Sequence, residues 1–232
     1  MSTCHKMVIG EVKPQDYKHH SFIGGKPKVP ANFEIPICSL CGEEQTFYFQ
    51  VTFPSDHDLN GRSILLFYCT SCWHPEHLIP EMLTGNLKNA EVPESFLDHY
   101  QKNFRALTFN VDALVWLESY EPKLQYAPIE LVSTTDIHYP GHKLGGSPNW
   151  YLEDESPRVT NSGKQFVFLM QFAAGLQFPK APSAPGQMKK NYRTGQAAPS
   201  SADYYQLFLE NNLYFFITST NGEPKVYIIT QI

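Results

Sequence analysis

Four of the cysteines in this chain form two pairs of the same spacing, Cys38-Ser-Leu-Cys41 and Cys69-Thr-Ser-Cys72. Each two-residue spacer lets the chain turn so that both sulfurs of a pair reach one ion, and two such pairs complete a tetrahedral site. A shell of four thiolates leaves no open position for a substrate. The pattern therefore predicts a structural Zn²⁺ site at these residues and no catalysis there.

Two alternatives to this site stay open in the sequence. The segment Trp73-His-Pro-Glu-His77 follows the second pair, so His74 or His77 could replace a cysteine as a ligand, or form a second site with Asp56-His-Asp58. The cysteines could also be redox-active or merely buried thiols. Four cysteines already satisfy the coordination number that zinc prefers, which favours the four-cysteine site.

The remaining motifs give no catalytic set. The chain has no Gly-x-Ser-x-Gly elbow and no His-Glu-x-x-His pair. Its acidic run, Glu153-Asp-Glu155, is typical of a solvated turn. Trp150 and Tyr151 precede that run and favour core packing, with an exposed interface anchor as the alternative. We expect no catalytic residues.

Composition limits the class of protein. The 232 residues carry a net charge of −5, and 14% of them are aromatic. An acidic chain lacks the positive field that phosphate binding needs, so nucleic acid is an unlikely partner despite the basic spot Lys189, Lys190 and Arg193. No apolar run approaches membrane-spanning length, and the first residues lack an apolar signal core. We expect a cytoplasmic protein without membrane contact, with Cys4 in a frayed terminus.

An internal repeat organises the chain. The segment 20–27 recurs as 141–148, and 47–51 recurs as 168–172, both with a shift of 121 positions. More loosely, 63–68 matches 212–217, and 104–109 matches 224–229. Each half starts with a Gly-Gly-x-Pro turn, for which turn geometry is favoured over phosphate binding, and continues with three strand-like segments. The sequence predicts an α+β, β-dominant fold of two similar β-rich halves about a pseudo-two-fold axis, with a zinc-knuckle insertion in the first half.

These features predict three regions. Residues 1–20 are an N-terminal extension. Residues 21–130 form the first half, with the zinc knuckles, a short helical turn at 82–88 and a helix at 92–104 where aromatic residues repeat every four positions. Residues 131–232 form the second half, and their Pro/Ala/Ser-rich stretch 179–203 has the composition of a mobile loop.

The repeated motifs resemble those of the YwqG-like family, a bacterial domain of unknown function. The matching residues are Ile23-Gly-Gly-x-Pro27 with Pro30 and Phe33, Phe49-Gln50, and Leu144-Gly-Gly-x-Pro148 with Gln171, and the likeness spans 21–231. It implies a duplicated β-rich fold and, for some members, protein binding, including the role of immunity proteins encoded beside toxins. The knuckles are similar to those of programmed-cell-death-protein-two-like chaperones, which escort a ribosomal protein. The family implies no catalytic set.

We therefore expect a non-enzymatic protein-binding module, as an immunity protein that occludes a toxin or a chaperone of a basic protein. The acidic charge suits a basic partner, because complementary charge speeds association. The alternative is an enzyme or a small-ligand-binding protein whose site lies in the cleft between the halves. Gln50, Gln171, His20 and His142 would line that cleft.

Overall fold

Strand is the main regular structure of the chain, with 39% of residues in strands and 7% in helices. The computed structural model describes residues 3–191, 193–218 and 224–232. The β-dominant class that the aromatic-rich segments predict is confirmed. Among the described residues, no helix has both the length and the apolar character needed to cross a membrane.

The strands are numbered in chain order. They are β1 (Cys4–Ile9), β2 (Phe22–Ile23), β3 (Lys28–Pro30), β4 (Thr46–Thr52), β5 (Arg62–Tyr68), β6 (Glu91–Val92), β7 (Phe104–Asn110), β8 (Leu114–Trp116), β9 (Ala127–Thr134), β10 (Lys143–Gly145), β11 (Val159–Thr160), β12 (Phe166–Phe172), β13 (Gln177–Pro179), β14 (Met188–Lys190), β15 (Ala197–Pro199), β16 (Tyr204–Gln206), β17 (Asn212–Thr218) and β18 (Val226–Gln231). The helical elements are α1 (Glu94–His99) and single 3₁₀ turns at Pro75–His77, Val111–Ala113 and Phe208–Glu210.

Ten strands form one antiparallel sheet, in the order β18-β17-β12-β10-β1-β9-β2-β4-β5-β7. The sheet curls until it is nearly closed. The two residues that follow α1 link the edge strands of the sheet, β18 and β7. The Tyr100 hydroxyl donates to the carbonyl of Val226 in β18, and the Gln101 side chain accepts the N–H of Ala106 in β7. The gap between the edges is therefore bridged by side chains rather than by a strand ladder.

The internal repeat is visible in the strand pairing. β2 pairs with β4 in the same register in which β10 pairs with β12. Phe22 pairs with Gln50 between β2 and β4, and Lys143 pairs with Gln171 between β10 and β12. Each residue of the second pair lies 121 positions after its counterpart in the first. The register irregularity of β4, between Phe47 and Phe49, also recurs in β12 at the same shift.

The first strand of the chain lies in the middle of this sheet. β1 pairs with β10 on one side and with β9 on the other. Cys4 is consequently buried, with 2% of its surface exposed, so the expectation of a frayed terminus around it is wrong. The strand lies inside the span 1–20 that the sequence indicated as an extension. Its partners come from far along the chain, which local sequence patterns do not reveal.

Aromatic side chains fill the space enclosed by the curled sheet. The ring of Phe49 in β4 lies 4.8 Å from that of Phe172 in β12 and 6.0 Å from that of Phe215 in β17. All three side chains are essentially unexposed. Burial of each contributes about 1.5–3 kcal/mol. Strands from both ends of the sequence therefore share one apolar core.

The helix expected at 92–104 is shorter than the aromatic spacing indicates. α1 ends at His99, although the Phe96 ring stacks on Tyr100 at 5.4 Å and Tyr100 contacts Phe104 at 5.3 Å. Phe104 instead pairs with Tyr68 at the start of β7. A helix continued to residue 104 would gain fewer than two turns and would remove Phe104 from the seven-residue ladder along β5, so strand pairing decides where the helix ends. The stretch 82–88 holds turns and no helix.

The stretch 179–203, called the arm below, is closed by one short ladder at its ends and contains a second. β13 pairs with β16 at its base, and β14 pairs with β15 further out. The Gln187 side chain both donates to and accepts from the backbone of Gln206, and the hydroxyl of Tyr205 donates to the carbonyl of Pro185. Local hydrogen bonds therefore shape the arm, and its mobility stays a prediction.

Candidate metal centre

A tight turn sets the geometry of the first cysteine pair. The N–H of Cys38 donates to the carbonyl of Glu43 at 2.9 Å, and the N–H of Gly42 donates back to the carbonyl of Cys38 at 2.8 Å. Gly42 has a φ of +81°, in the left-handed region that glycine adopts without a steric penalty. The turn directs the side chains on both sides of Ser39 and Leu40 toward one point.

The second pair begins where β5 ends and is held by the segment between α1 and β7. The N–H of Cys69 donates to the carbonyl of Asn103 at 2.8 Å. The N–H of Ser39, in the first pair, donates to the carbonyl of the neighbouring Lys102 at 2.8 Å. One short stretch of backbone thus positions both turns relative to each other.

The four sulfurs meet at one place. All Sγ atoms lie within 4.8 Å of one another, with 3.9 Å between Cys38 and Cys72 and 3.6 Å between Cys41 and Cys69. A tetrahedral Zn²⁺ with bonds of about 2.3 Å separates its sulfurs by about 3.8 Å. Three of the cysteines are buried, Cys41 is exposed, and none forms a disulfide. The structure therefore brings together the four residues that the sequence pairs, in an arrangement that can bind a metal ion.

The protonation of the cluster shows why a cation suits it. Hydrogen bonds from the thiols of Cys69 and Cys72 lower the pKa of Cys38. The same hydrogen bonds to Cys38 raise the pKa of Cys69 and Cys72, because a second negative charge beside the first is repelled. Thiolates held this close to one another repel. A divalent ion would offset the repulsion and allow all four thiolates to form.

The two histidines that follow the second pair have other partners. The His77 ring stacks on Tyr68 at 4.8 Å, and its Nε2 bonds to the carbonyl of Cys69. Burial lowers the pKa of His77. The Nδ1 of His74 accepts the N–H of Glu76 at 3.2 Å, at the start of a 3₁₀ turn. In the described ranges, the group of ligating side chains consists of the four cysteines alone.

Asp56, His57 and Asp58 form a local turn and do not join that group. The Nδ1 of His57 accepts the N–H of Leu59 at 3.0 Å, and the imidazole stacks on Phe53. A carboxylate oxygen of Asp56 lies 3.4 Å from the Nε2 of His5. The sequence-based alternative of a second metal site gains no support from these contacts.

Gln50 and Gln171 occupy equivalent positions in the repeat, and each forms hydrogen bonds with nearby backbone groups rather than with the other glutamine. The Oε1 of Gln50 accepts the N–H of Lys28 at 3.1 Å, and that of Gln171 accepts the N–H of Asn149 at 2.9 Å. Both glutamines are 1% exposed. Each glutamine is adjacent in its strand to a core-facing phenylalanine, Phe49 or Phe172, so both amides lie on the face of the sheet opposite the shared core.

The histidines expected beside them differ in role. The Nδ1 of His142 accepts the N–H of Ala173 at 3.0 Å, whereas His20 is exposed. The residue that matches His142 at the shift of 121 is Ser21, and its hydroxyl accepts the N–H of Thr52 at 2.9 Å. The sequence suggests that His20 and His142, at near-matching positions, have similar roles, and this equivalence is missed because a serine and a histidine look unrelated although both can accept a hydrogen bond.

Close backbone packing explains the Gly-Gly turns. Gly24 and Gly145 have φ values of +59° and +72°. A Cβ atom would lie 2.2 Å from the carbonyl oxygen of Gln125 at Gly24, and 2.1 Å from that of Thr3 at Gly145. No side chain fits at either place. Turn geometry, as expected from sequence, is sufficient reason for both glycines.

Trp150 and Tyr151 divide between the two roles that the sequence left open. The Trp150 ring packs on Tyr214 at 4.2 Å, in the core. Tyr151 is 64% exposed, and the adjacent Leu152 is 63% exposed. Sequence reasoning singled out the two aromatic residues and overlooked the leucine.

A cleft of about 260 Å³ lies between the arm and the segment that follows the second cysteine pair, and the sequence did not indicate a cavity there. Trp73 and Leu209 contribute apolar surface, and the Nζ of Lys190 lies 6.0 Å from the Trp73 ring centroid. Leu209 belongs to a turn, Phe208–Glu210, in which three consecutive residues have positive φ values of 45°, 60° and 61°. Such a turn is strained, since each non-glycine residue in the left-handed region costs about 1–2 kcal/mol.

Comparison with known proteins adds no assignment. No protein-family model and no curated protein matches the chain.

Proposed function

We propose that the four cysteines hold one structural Zn²⁺. The sulfur separations support this metal, because they match a tetrahedral four-thiolate shell. The position supports a structural role, because the ion would tie the residues before β4 to the end of β5. Binding would contribute on the order of 10 kcal/mol to folding at neutral pH.

We further propose that the two halves are copies of one unit, related by a pseudo-two-fold axis between β1 and β9. The repeated register of β2 with β4 and of β10 with β12 supports this relation. The matched glutamines and the matched backbone N–H groups that donate to them, those of Lys28 and Asn149, support it as well. In this arrangement each copy contributes its leading strand to the sheet of the other. The duplicated scaffold is the feature by which the chain resembles the YwqG-like family.

The protein acts, in our proposal, as a non-enzymatic binding module for a basic protein in the cytoplasm, such as a toxin that it neutralises or a ribosomal protein that it escorts. The observation that carries this proposal is the exposed pair Tyr151 and Leu152 beside the acidic run Glu153–Glu155. Apolar anchors rimmed by charge are typical of protein interfaces. The net charge of −5 favours encounter with a positive partner.

Affinity purification with the intact protein, followed by mass spectrometry, tests this function. We expect a stoichiometric partner whose net charge is positive, and binding that weakens as salt rises because charge attraction is screened. A free chain under native conditions, or binding limited to acidic proteins, would contradict the proposal.

Small-ligand binding is the second candidate, and the cleft beside the arm favours it over a site between the halves. Its apolar wall and Lys190 suit an aromatic carboxylate. Titration with phenylacetate, followed by the NMR signal of the Trp73 indole, tests this. Saturable shifts that vanish in Lys190→Gln would support the cleft, and an unresponsive indole would exclude it.

A further inference from the structure

Tyr151 and Leu152, called the tip below, are among the most exposed large apolar side chains of the described residues. In the described ranges only Ile232, at 76%, exceeds their 64% and 63%. Burial of each in a partner would contribute about 1.5–3 kcal/mol. Neighbouring exposed residues of this kind form the centre of an interface rather than isolated surface positions.

Buried side chains hold the backbone of the tip in place. The Oε1 of Gln231 accepts the N–H groups of Tyr151 at 3.1 Å and Leu152 at 2.9 Å. Its Nε2 donates to the carbonyl of Glu153 at 2.8 Å and to the carboxylate of Glu155 at 2.9 Å. An amide side chain has capacity for four such bonds, and Gln231 directs all four to this segment.

A second buried residue fixes the same segment from the adjacent strand. The Tyr214 hydroxyl accepts the N–H of Tyr151 at 2.9 Å and donates to the carbonyl of Asn149 at 3.0 Å. Both Gln231 and Tyr214 are buried, in β18 and β17. The tip is therefore rigid before it meets a partner, which lowers the entropy cost of binding.

The charges beside the tip indicate the chemistry of its partner. Glu153 is exposed, and Glu155 orients its carboxylate through Gln231. Asp154 is paired with Lys88, with 3.3 Å between the Nζ and a carboxylate oxygen. Of the three acidic residues, Glu153 is exposed and Glu155 is partly buried, and neither forms a salt bridge within the described ranges.

We propose that the tip is the binding hot spot of this protein, and that it inserts Tyr151 and Leu152 into an apolar pocket bordered by lysine or arginine on a partner protein. This inference rests on the proposed function, of which it gives the contact surface. The rigid backbone sets the direction of the two side chains, and the carboxylates align the basic rim of the pocket.

Site-specific photo-crosslinking tests the proposal in cells that make the intact protein. p-Benzoyl-phenylalanine is placed at Tyr151 and, as a control, at Val115, which is 53% exposed in β8. We expect a basic protein to crosslink from position 151 and not from 115. With that purified partner, the pair of changes Tyr151→Ala and Leu152→Ala lowers affinity by about 100-fold or more, and Val115→Ala leaves it unchanged. Thermal unfolding stays the same because the changed side chains are exposed.

The other outcomes separate the two proposals. A partner could crosslink only from position 115 and bind the double variant with unchanged affinity. That outcome would overturn the proposal that the tip is the contact surface, and it would leave the proposed protein-binding function intact. An acidic partner at position 151 would overturn the assigned chemistry. The absence of any protein partner by crosslinking and by affinity purification would overturn the proposed function and the tip together.

Discussion

The backbone N–H of Met188 donates to the carbonyl of Thr70 at 2.9 Å. Thr70 lies between the two cysteines of the second pair, and Met188 begins the outer ladder of the arm. This bond links the backbone of the arm to the backbone of the cysteine cluster. Loss of structure at the cluster should therefore increase the mobility of the arm.

Removal of the metal should expose the arm to proteolysis. We expect a zinc chelator to accelerate tryptic cleavage after Lys189, Lys190 or Arg193 by about 10-fold or more, because loss of the ion loosens the turn that holds Met188. Mass spectrometry of early time points identifies the first cut. Cleavage that is equally fast with and without the chelator would show that the order of the arm does not depend on the metal site.

The thiol at position 41 should be essential for metal binding, although it is exposed. Cys41→Ser should lower bound zinc well below one ion per chain and destabilise the protein by several kcal/mol, because a structural site needs all four ligands. Cys4→Ser is the matched control, since Cys4 lies in β1 and not in the cluster. Elemental analysis and denaturant unfolding give the readouts. Full zinc and unchanged stability in Cys41→Ser would contradict the metal site.

Gly24 should tolerate no side chain. Gly24→Ala should destabilise the protein by about 3 kcal/mol or more, because its Cβ would clash with the carbonyl oxygen of Gln125. Gly163→Ala serves as the control, with a φ of +87° and no atom within 4 Å of the added Cβ. That variant should lose only about 1 kcal/mol, the cost of the left-handed conformation. If both variants lost the same unfolding free energy in denaturant, the close contact between Gly24 and the carbonyl oxygen of Gln125 would be ruled out.

Acid should destabilise the protein partly through His142. Burial lowers the pKa of His142, and its Nδ1 accepts a backbone N–H, so the folded state keeps this ring neutral. The unfolded chain binds the proton more readily, hence the stability from the neutral ring is complete above about pH 6.5 and is lost as the pH falls below it. The slope of the unfolding free energy against pH reports the number of protons taken up on unfolding. Between about pH 6.5 and 5, His142→Asn should reduce that number by up to one. Identical slopes would assign the acid sensitivity to other groups.

The amide of Gln231 should control the rigidity of the tip. In Gln231→Leu the N–H groups of Tyr151 and Leu152 lose an acceptor, and their hydrogen exchange should accelerate by about 10-fold or more. Exchange of Met7, in the central strand β1, reports any global loss of stability. Parallel acceleration at Met7 and at the tip would mean that Gln231 acts on the whole fold.

Local patterns in the sequence were sufficient for the cysteine cluster and for the strands of the repeat. Cys-x-x-Cys spacing and Gly-Gly turns depend on a few neighbouring residues, so the sequence carries them directly. The shortened helix α1 shows where this fails: the spacing of Phe96, Tyr100 and Phe104 is helical, but pairing of β7 with β5 decides the outcome. The place of β1 in the sheet depends on strands more than a hundred positions away, and the side chain of Gln231 accepts an N–H from Tyr151, eighty positions away. Periodicity cannot reveal either relation.

The central place of β1 has a consequence for synthesis on the ribosome. This strand is translated before both of its neighbours, β9 and β10, which are encoded more than a hundred positions later. During that interval its apolar residues have no native strand to pair with, and the sheet around β1 cannot form until the residues of β9 and β10 have been synthesised. Neither half can therefore finish folding ahead of the other.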